Sequence, residues 1–197
     1  MATDEQLVAD YRGGNEGAFA ELVGRYQREL FVFLQRFVLS SAVAEDLFQE
    51  TFIQVHRNIH MFDPARRFRP WLFTIAANKA RDHLRAQQRR GTQSLDNTAG
   101  GSGGGTFVDL MQSDLPGPQE MLSREEDIAA VRQALDAIPA MYREILLLSY
   151  FHKFAYKQIA EMLGIPLGTV KSRLHAALAI FARAWEAQHQ EQRPGGQ

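Results

Sequence analysis

The sequence predicts an all-α chain: two small helical domains joined by a flexible linker. Three observations carry that reading. Apolar residues recur at spacings of three and four through residues 19–59, 71–84 and 128–185, the period of helices with one buried face. Five of the six residues from Gly100 to Gly105 are glycine, and no packed element would tolerate this, because ordering glycine is entropically costly. Charge is also divided by segment. Residues 1–56 hold 4 basic and 9 acidic residues, 57–90 hold 9 and 2, 91–127 hold 1 and 7, and 128–197 hold 8 and 5. Two basic zones separated by an acidic connector suit two DNA-contacting modules better than one.

The first domain spans residues 1–90. A short helix is expected over 4–12, broken by Gly13-Gly14-Asn15. A long helix follows to about Val38, with Phe19, Leu22, Val23, Tyr26, Leu30, Phe33, Leu34 and Phe37 as its stripe. Ser40-Ser41 marks a break, and the second serine suits a cap for the next helix, Ala42 to Ile59. Ala44, Leu47, Phe48, Thr51, Phe52, Val55 and Ile59 form the core stripe of that helix. Its other face carries Asp46, Gln49, Glu50, Ile53 and Arg57. An apolar residue among acids on such a face marks a candidate partner surface; the alternative is plain solvation. Residues 60–70 form a loop with two prolines and three arginines. A helix then opens at Trp71, with Asn78, Lys79, Arg81, Asp82, Arg85, Arg89 and Arg90 on its outer face. Cations interleaved with aromatics make an electrostatic groove with a stacking platform. The plainer reading keeps Trp71 and Phe73 in the core and leaves the arginines for phosphates.

Residues 91–118 read as a flexible acidic linker. Within it, Thr106 to Leu115 carry a few apolar residues, which leaves open transient docking or a simple tether. The second domain spans 119–187. A helix is expected over 119–138, with a capping box at Ser123 to Glu126 and Pro139 at its end. Another runs from about Tyr142 to His152. Ala155 to Trp185 then reads as two helices around a tight turn. Ile159, Ala160 and Leu163 line the first, Gly164 ends it in the left-handed conformation, and Pro166 sits in the first turn of the second. Val170, Leu174, Ala177, Leu178, Phe181 and Trp185 form one buried stripe. Gly168, Thr169, Lys171, Ser172, His175 and Ala176 face away from it, and Arg173 flanks it. Small, hydroxylic and cationic residues near a helix start suit base edges and phosphates in a major groove. The pattern is a helix-turn-helix, with an ordinary helical hairpin as the alternative. The tail, 188–197, is polar and expected to fray.

The chain of 197 residues has no cysteine, which excludes disulfides and thiolate-ligated zinc. No apolar run approaches the ~18 residues of a membrane span. The start, MATDEQLVADY, lacks a signal-peptide pattern, so the expected compartment is the cytoplasm. His56 and His60 are four apart with only Asp63 near, too few ligands for a metal site. No HExxH, P-loop or GxSxG motif is present, so an enzyme reading has no support.

The run LGIPLGTVKSRLHAAL resembles region 4.2 of the sigma-70 family, especially its extracytoplasmic-function group. Gly168, Thr169, Val170, Lys171, Ser172, Arg173 and Leu174 match that family's recognition helix in full. Gln158 stands where Glu is usual, and Ala176 where a basic residue is common. AL-x-x-I-P-x-x-x-R-E-I-L-x-L resembles region 4.1, and AEDLFQETFIQVHRNI resembles region 2.2. RFRPWLFTIAANKARDHLR resembles regions 2.3 and 2.4, where Asn78, Asp82 and Arg85 match N-x-x-x-D-x-x-R, while Ala77 stands where Arg is frequent. The resemblance covers about residues 4–90 and 119–186. It implies a sigma factor that directs core RNA polymerase to promoters. The implied −35 contacts are Thr169, Lys171, Ser172, Arg173 and His175. The implied −10 contacts are Arg66, Arg67, Arg69, Trp71, Asn78, Lys79, Arg81, Asp82 and Arg85, and the loop at about His60 to Arg69 captures a flipped base. Asp46, Gln49, Glu50 and Ile53 are the implied polymerase contacts. The partners implied are core polymerase, through its β′ clamp and β flap, promoter DNA, and an anti-sigma factor as a family expectation. In the family the linker threads near the polymerase active-site and RNA-exit channels. No small-molecule cofactor is implied, since the magnesium of the polymerase does the chemistry. Two rivals stay open: a conventional helix-turn-helix activator, and a regulatory protein that keeps the fold without promoter recognition.

Overall fold

The computed structural model describes residues 1–94 and 126–191, with side chains over 1–90 and 131–187. Every regular element among the described residues is helical. They fall into two compact units. One combines Met1–Leu84 with Lys157–Gly164; the other combines the described parts of Arg85–Tyr156 and Ile165–Gln197.

In the first unit, α1 (Asp4–Arg12) opens with a complete capping box. Thr3 accepts the Gln6 amide N–H at 3.2 Å, and Gln6 accepts the Thr3 N–H at 2.8 Å. Gly14, at φ +99°, turns the chain, and Asn15 caps α2 (Glu16–Val38) by accepting the Gly17 N–H at 3.1 Å. The α2 stripe of Leu22, Tyr26, Leu30, Phe33, Leu34 and Phe37 is buried, with Ala18 added, whereas Phe19 and Val23 are half-buried at its margin. Helix α2 ends at Leu39 in the left-handed conformation, φ 60°. Ser40, rather than the expected Ser41, caps α3 (Ser41–Asn58), accepting the Val43 N–H at 3.4 Å. The Ser41 hydroxyl instead accepts from the Gln35 amide at 2.7 Å.

The α3 core stripe is buried as expected, apart from a half-buried Phe48. The buried Thr51 hydroxyl donates to the Leu47 carbonyl at 2.6 Å, which satisfies it within the helix. A short 3-10 turn, Ile59–Met61, closes α3. Helix α4 (Phe68–Ser94) begins ahead of the expected Trp71 and includes Pro70 in its first turn. The first four amides of a helix have no intrahelical partner, so a proline there loses no bond. The same helix runs past residue 90 into the segment expected to be linker. Leu72, Phe73, Ala76, Ala77 and Ala80 form its buried face. Tyr26–Phe68 and Phe33–Phe73 ring contacts, at 5.7 and 5.2 Å, join α2 to α4.

In the second unit, α5 (Glu126–Asp136) packs on α8 (Leu167–Glu191), as does α6 (Ala140–Leu146). The expected helical start at 119 and the Ser123 cap lie outside the described residues, as does the linker from 95 to 118. Pro139 stands at the start of α6 as well as after α5. The helix expected over 142–152 is two pieces: α6, then a wider π turn over Leu147–Phe151. The His152 N–H reaches back to the Leu147 carbonyl at 3.0 Å, and Lys153 follows at φ 56°. Arg143 is buried and donates to the Ile138 carbonyl at 3.1 Å, tying α6 to the end of the segment before it. Burial lowers its guanidinium pKa from the ordinary value.

Helix α7 (Tyr156–Leu163) buries Ile159 and Met162; Ala160 and Leu163 are half-buried, so Met162 replaces them in the stripe. Gly164 at φ 64° ends the helix as expected. The Val170 N–H bonds the Pro166 carbonyl at 3.1 Å, which places Pro166 just ahead of the first turn of α8. Val170, Leu174, Ala177, Phe181 and Trp185 are buried, joined by Ala182, with Leu178 half-buried. The Phe181 and Trp185 rings stack at 6.0 Å. The helix continues past Trp185 to Glu191, and residues 192–197 lie outside the described residues.

Candidate nucleic-acid interface

On α8 the face opposite the stripe stands as the sequence predicts. Gly168, Lys171, Ser172 and His175 are exposed, while Thr169, Arg173 and Ala176 are half-buried at its edges. The Ser172 hydroxyl donates to the Thr169 carbonyl at 3.2 Å, so a groove contact by it exchanges a local bond for an intermolecular one. Gly168 has open space where a Cβ would stand, which leaves the helix start narrow. The exposed Lys171 can meet a phosphate without first being released from the fold.

Helix α4 presents the second surface. Asn78, Asp82 and Arg85 are exposed, with Lys79 and Arg81 half-buried beside them. Arg81 donates to the Asn78 side-chain oxygen, so these two share one position on the face. Lys79 pairs with Glu50 of α3 at 3.1 Å. This bond joins a residue expected to touch DNA to one expected to touch polymerase, so the two surfaces adjoin. Ala77, where the family frequently has Arg, is fully buried; its side chain belongs to the core face.

The connection from α3 to α4 is pinned at both ends and open between them. Phe62 and Phe68 are buried, 6.0 Å apart edge-to-face, and Trp71 packs on them at 5.0 and 5.8 Å. Trp71 is half-buried, and its stacking partners are these two rings. Met61 is 85 % exposed, and Asp63 to Arg67 are all exposed. Asp63 shapes the tip: its side chain accepts the Ala65 N–H and its carbonyl the Arg66 N–H, both at 2.9 Å. Arg66 and Arg67 have only long pairings, 3.8 Å to Asp63 and to Glu5, worth little at such exposure. Arg69 is different: it pairs with Glu29 of α2 at 2.5 Å and lies over the Phe73 ring. It braces α4 on α2 as well as carrying charge.

On α3, Asp46, Gln49, Glu50 and Ile53 are all exposed on one face, with Ile53 51 % exposed. Sequence reasoning missed the part that α1 plays. Arg12 and Glu5 bond the two ends of the α3–α4 connection across sequence separations of 47 to 63 residues, which leave no local pattern.

Two family models match the chain. Sigma-70 region 2 matches residues 22–90 and Sigma-70 region 4 matches residues 128–180. The chain is 35 % identical over 183 residues to the RNA polymerase sigma-H factor of Pseudomonas aeruginosa, across 92 % of this chain and 93 % of that one. It is 31 % identical over 171 residues to the ECF RNA polymerase sigma factor SigW of Bacillus subtilis, across 87 % and 90 %. Among solved structures it is similar to CnrH in complex with the cytosolic domain of CnrY, at a TM-score of 0.66 and 25 % identity over 93 % of this chain and 97 % of that one. The order of the two matched regions, the helical surfaces they carry and identity along nearly the whole length agree: the chain belongs to the extracytoplasmic-function group of the sigma-70 family, initiation factors that direct RNA polymerase to promoters.

Proposed function

We propose that promoter recognition and polymerase docking are divided among three surfaces of this chain. Helix α8 holds the −35 element in the major groove through Thr169, Lys171, Ser172, Arg173 and His175. Helix α4 and the loop before it engage and open the −10 element. Arg66, Arg67, Arg69, Lys79, Arg81 and Arg85 supply cations for phosphates, Asn78 and Asp82 supply polar contacts, and Trp71 backs the loop that takes a flipped base. Asp46, Gln49, Glu50 and Ile53 of α3 meet the β′ clamp, and the second domain, residues 119–187, meets the β flap. The first domain is residues 1–90.

One observation carries the reading. Two cation-bearing helical surfaces are exposed over buried stripes, on α4 and on α8, inside the two matched regions. A single basic surface would account for duplex binding alone and leave the α4 zone without a role. The chain itself performs no catalysis in this reading; it positions DNA for the polymerase. It acts in the cytoplasm, and none of the described helices is long and apolar enough to cross a membrane. An anti-sigma factor is a further partner expected of the family; CnrH was solved in complex with another protein's cytosolic domain, that of CnrY.

The test is co-purification with core RNA polymerase, followed by open-complex formation on a promoter library. Stable association with melted promoters is expected. Association without melting would favour a regulatory protein that keeps the fold. Duplex binding without association would favour a conventional activator.

A further inference from the structure

Helix α1 lies outside the residues matched by the region 2 model, 22–90, yet it touches both ends of the exposed loop between α3 and α4. At the loop's start, Arg12 Nε donates to the Ile59 carbonyl at 2.9 Å, and Nη2 donates to the carbonyls of Ile59 and Phe62. These carbonyls belong to the turn that closes α3; that of Ile59 also accepts the Phe62 N–H at 3.2 Å, and a cation is favoured at such a helix end. At the loop's end, the Glu5 carboxylate accepts the Phe68 N–H at 3.2 Å. Phe68 is the first residue of α4, and the residue before it is Arg67, which cannot cap a helix. The cap therefore comes from α1, and a carboxylate there also complements the helix dipole. Helix α1 is in turn anchored to α2, because Asp4 accepts from the Tyr26 hydroxyl and pairs with Arg25 at 2.9 Å.

We propose that α1 is a brace for base selection: Arg12 and Glu5 clamp the two ends of the 60–67 loop, making Arg12 a positioning residue for the base that the loop captures. The proposal rests on the reading above that this loop takes a −10 base. Three hydrogen bonds from one planar guanidinium set the direction in which the chain leaves α3. The Glu5 cap sets where α4 begins. Between them the Asp63 turn shapes the exposed tip, with the buried Phe62 ring below it and weak pairings of Arg66 and Arg67 at 3.8 Å. Discrimination by a pocket depends on sub-ångström placement of its donors and walls. A tip with one end released samples several placements, so it still binds DNA but selects less sharply.

The experiment uses the full chain reconstituted with core RNA polymerase, selecting open complexes from promoters randomised across the −10 and −35 elements. A loop-tip variant, Met61→Ala with Arg66→Ala, first locates the −10 position that the loop reads. Arg12→Ala is then expected to reduce discrimination at that same position about tenfold, a typical share of one base pair's contribution. The −35 preferences and polymerase affinity stay unchanged. Arg12→Lys, a point charge without the planar fork, is expected to restore part of the discrimination. Glu5→Ala is expected to blur the same position while leaving the Arg12 bonds in place.

If the loop-tip variant shifts a −10 preference but Arg12→Ala and Glu5→Ala leave it intact, the brace is wrong and the loop reading stands. If the loop-tip variant shifts no −10 preference, the loop reading fails and takes the brace's consequence with it. Equal blurring of −10 and −35 preferences by Arg12→Ala would mean a general structural role and would also overturn the proposal. Should Arg12→Ala not fold, Arg12→Lys and Glu5→Ala decide by the same criteria.

Discussion

Tyr26 shows how a single residue ties local chemistry to stability. It is buried on α2 and its hydroxyl donates to Asp4. Burial first, then the bond to a carboxylate, raises its pKa well above the ordinary tyrosine value. An unfolded tyrosine releases its proton near pH 10, whereas the folded one retains it. The unfolded state therefore binds fewer protons above that pH, and stability falls as pH rises through the alkaline range. Urea midpoints at pH 9 and pH 11 should show a steeper loss for the wild-type chain than for Tyr26→Phe; equal losses would show that Tyr26 does not carry the effect. Lys153 makes a second residue-scale case. It is exposed with φ 56°, a conformation that costs a side-chain-bearing residue about 1–2 kcal/mol. Lys153→Gly is expected to stabilise the second unit by about 0.5–1 kcal/mol once the entropy of glycine is offset. Chemical denaturation measures this directly, and a destabilised variant would mean that the Lys153 side chain contributes more than its exposure suggests.

At the scale of elements, the first unit depends on aromatic packing of α4 against α2. Phe33 and Phe73 are fully buried with ring centroids 5.2 Å apart. Phe33→Ala should cost about 3–5 kcal/mol through lost transfer energy and the cavity left behind. Such a loss should loosen α4 beyond its first turn, because the Tyr26–Phe68 contact holds only the helix start and Arg69–Glu29 is a half-exposed ion pair of modest worth. Amide hydrogen exchange along α4 would report it; protection unchanged in α4 would place the stability of that helix elsewhere. The stripes on α2, α3 and α8 were legible in the sequence because a helix buries residues at its own period, whatever covers them. The start of α4 was not. Its cap, Glu5, lies 63 residues earlier, and local rules placed the start at Trp71 beyond Pro70. Nor was the π turn at Leu147–Phe151 legible, since it keeps the apolar pattern of the helix it interrupts.

For the molecule as a whole, the three proposed surfaces predict separable defects. Lys171→Ala with Arg173→Ala should weaken −35 binding, reduce its salt dependence by roughly two phosphate contacts and spare polymerase binding. Asp46→Ala with Glu50→Ala should do the reverse. The Glu50–Lys79 pair at 3.1 Å adds a refinement: removing Glu50 frees a cation on the −10 surface. Asp46→Ala with Ile53→Ala therefore tests docking alone, and Glu50→Ala should additionally change −10 binding. Titration of each variant against core polymerase and against a promoter duplex resolves the two effects. Parallel losses in both titrations would contradict the division of labour.

The sequence by itself determined the all-α class, the buried stripes, the glycine that turns α7 into α8 and the candidate surfaces on α3, α4 and α8. All of these follow from periodicity and residue chemistry within a few turns of chain. Tertiary structure alone decided that Ala77 faces the core, that Arg69 is held by Glu29, that Lys79 meets Glu50, and that α1 grips both ends of the loop before α4. The physical reason is range. A helix's own hydrogen bonds and its buried stripe are written within about seven residues, whereas a side chain's partner across the fold depends on how whole helices pack, and no local pattern encodes that.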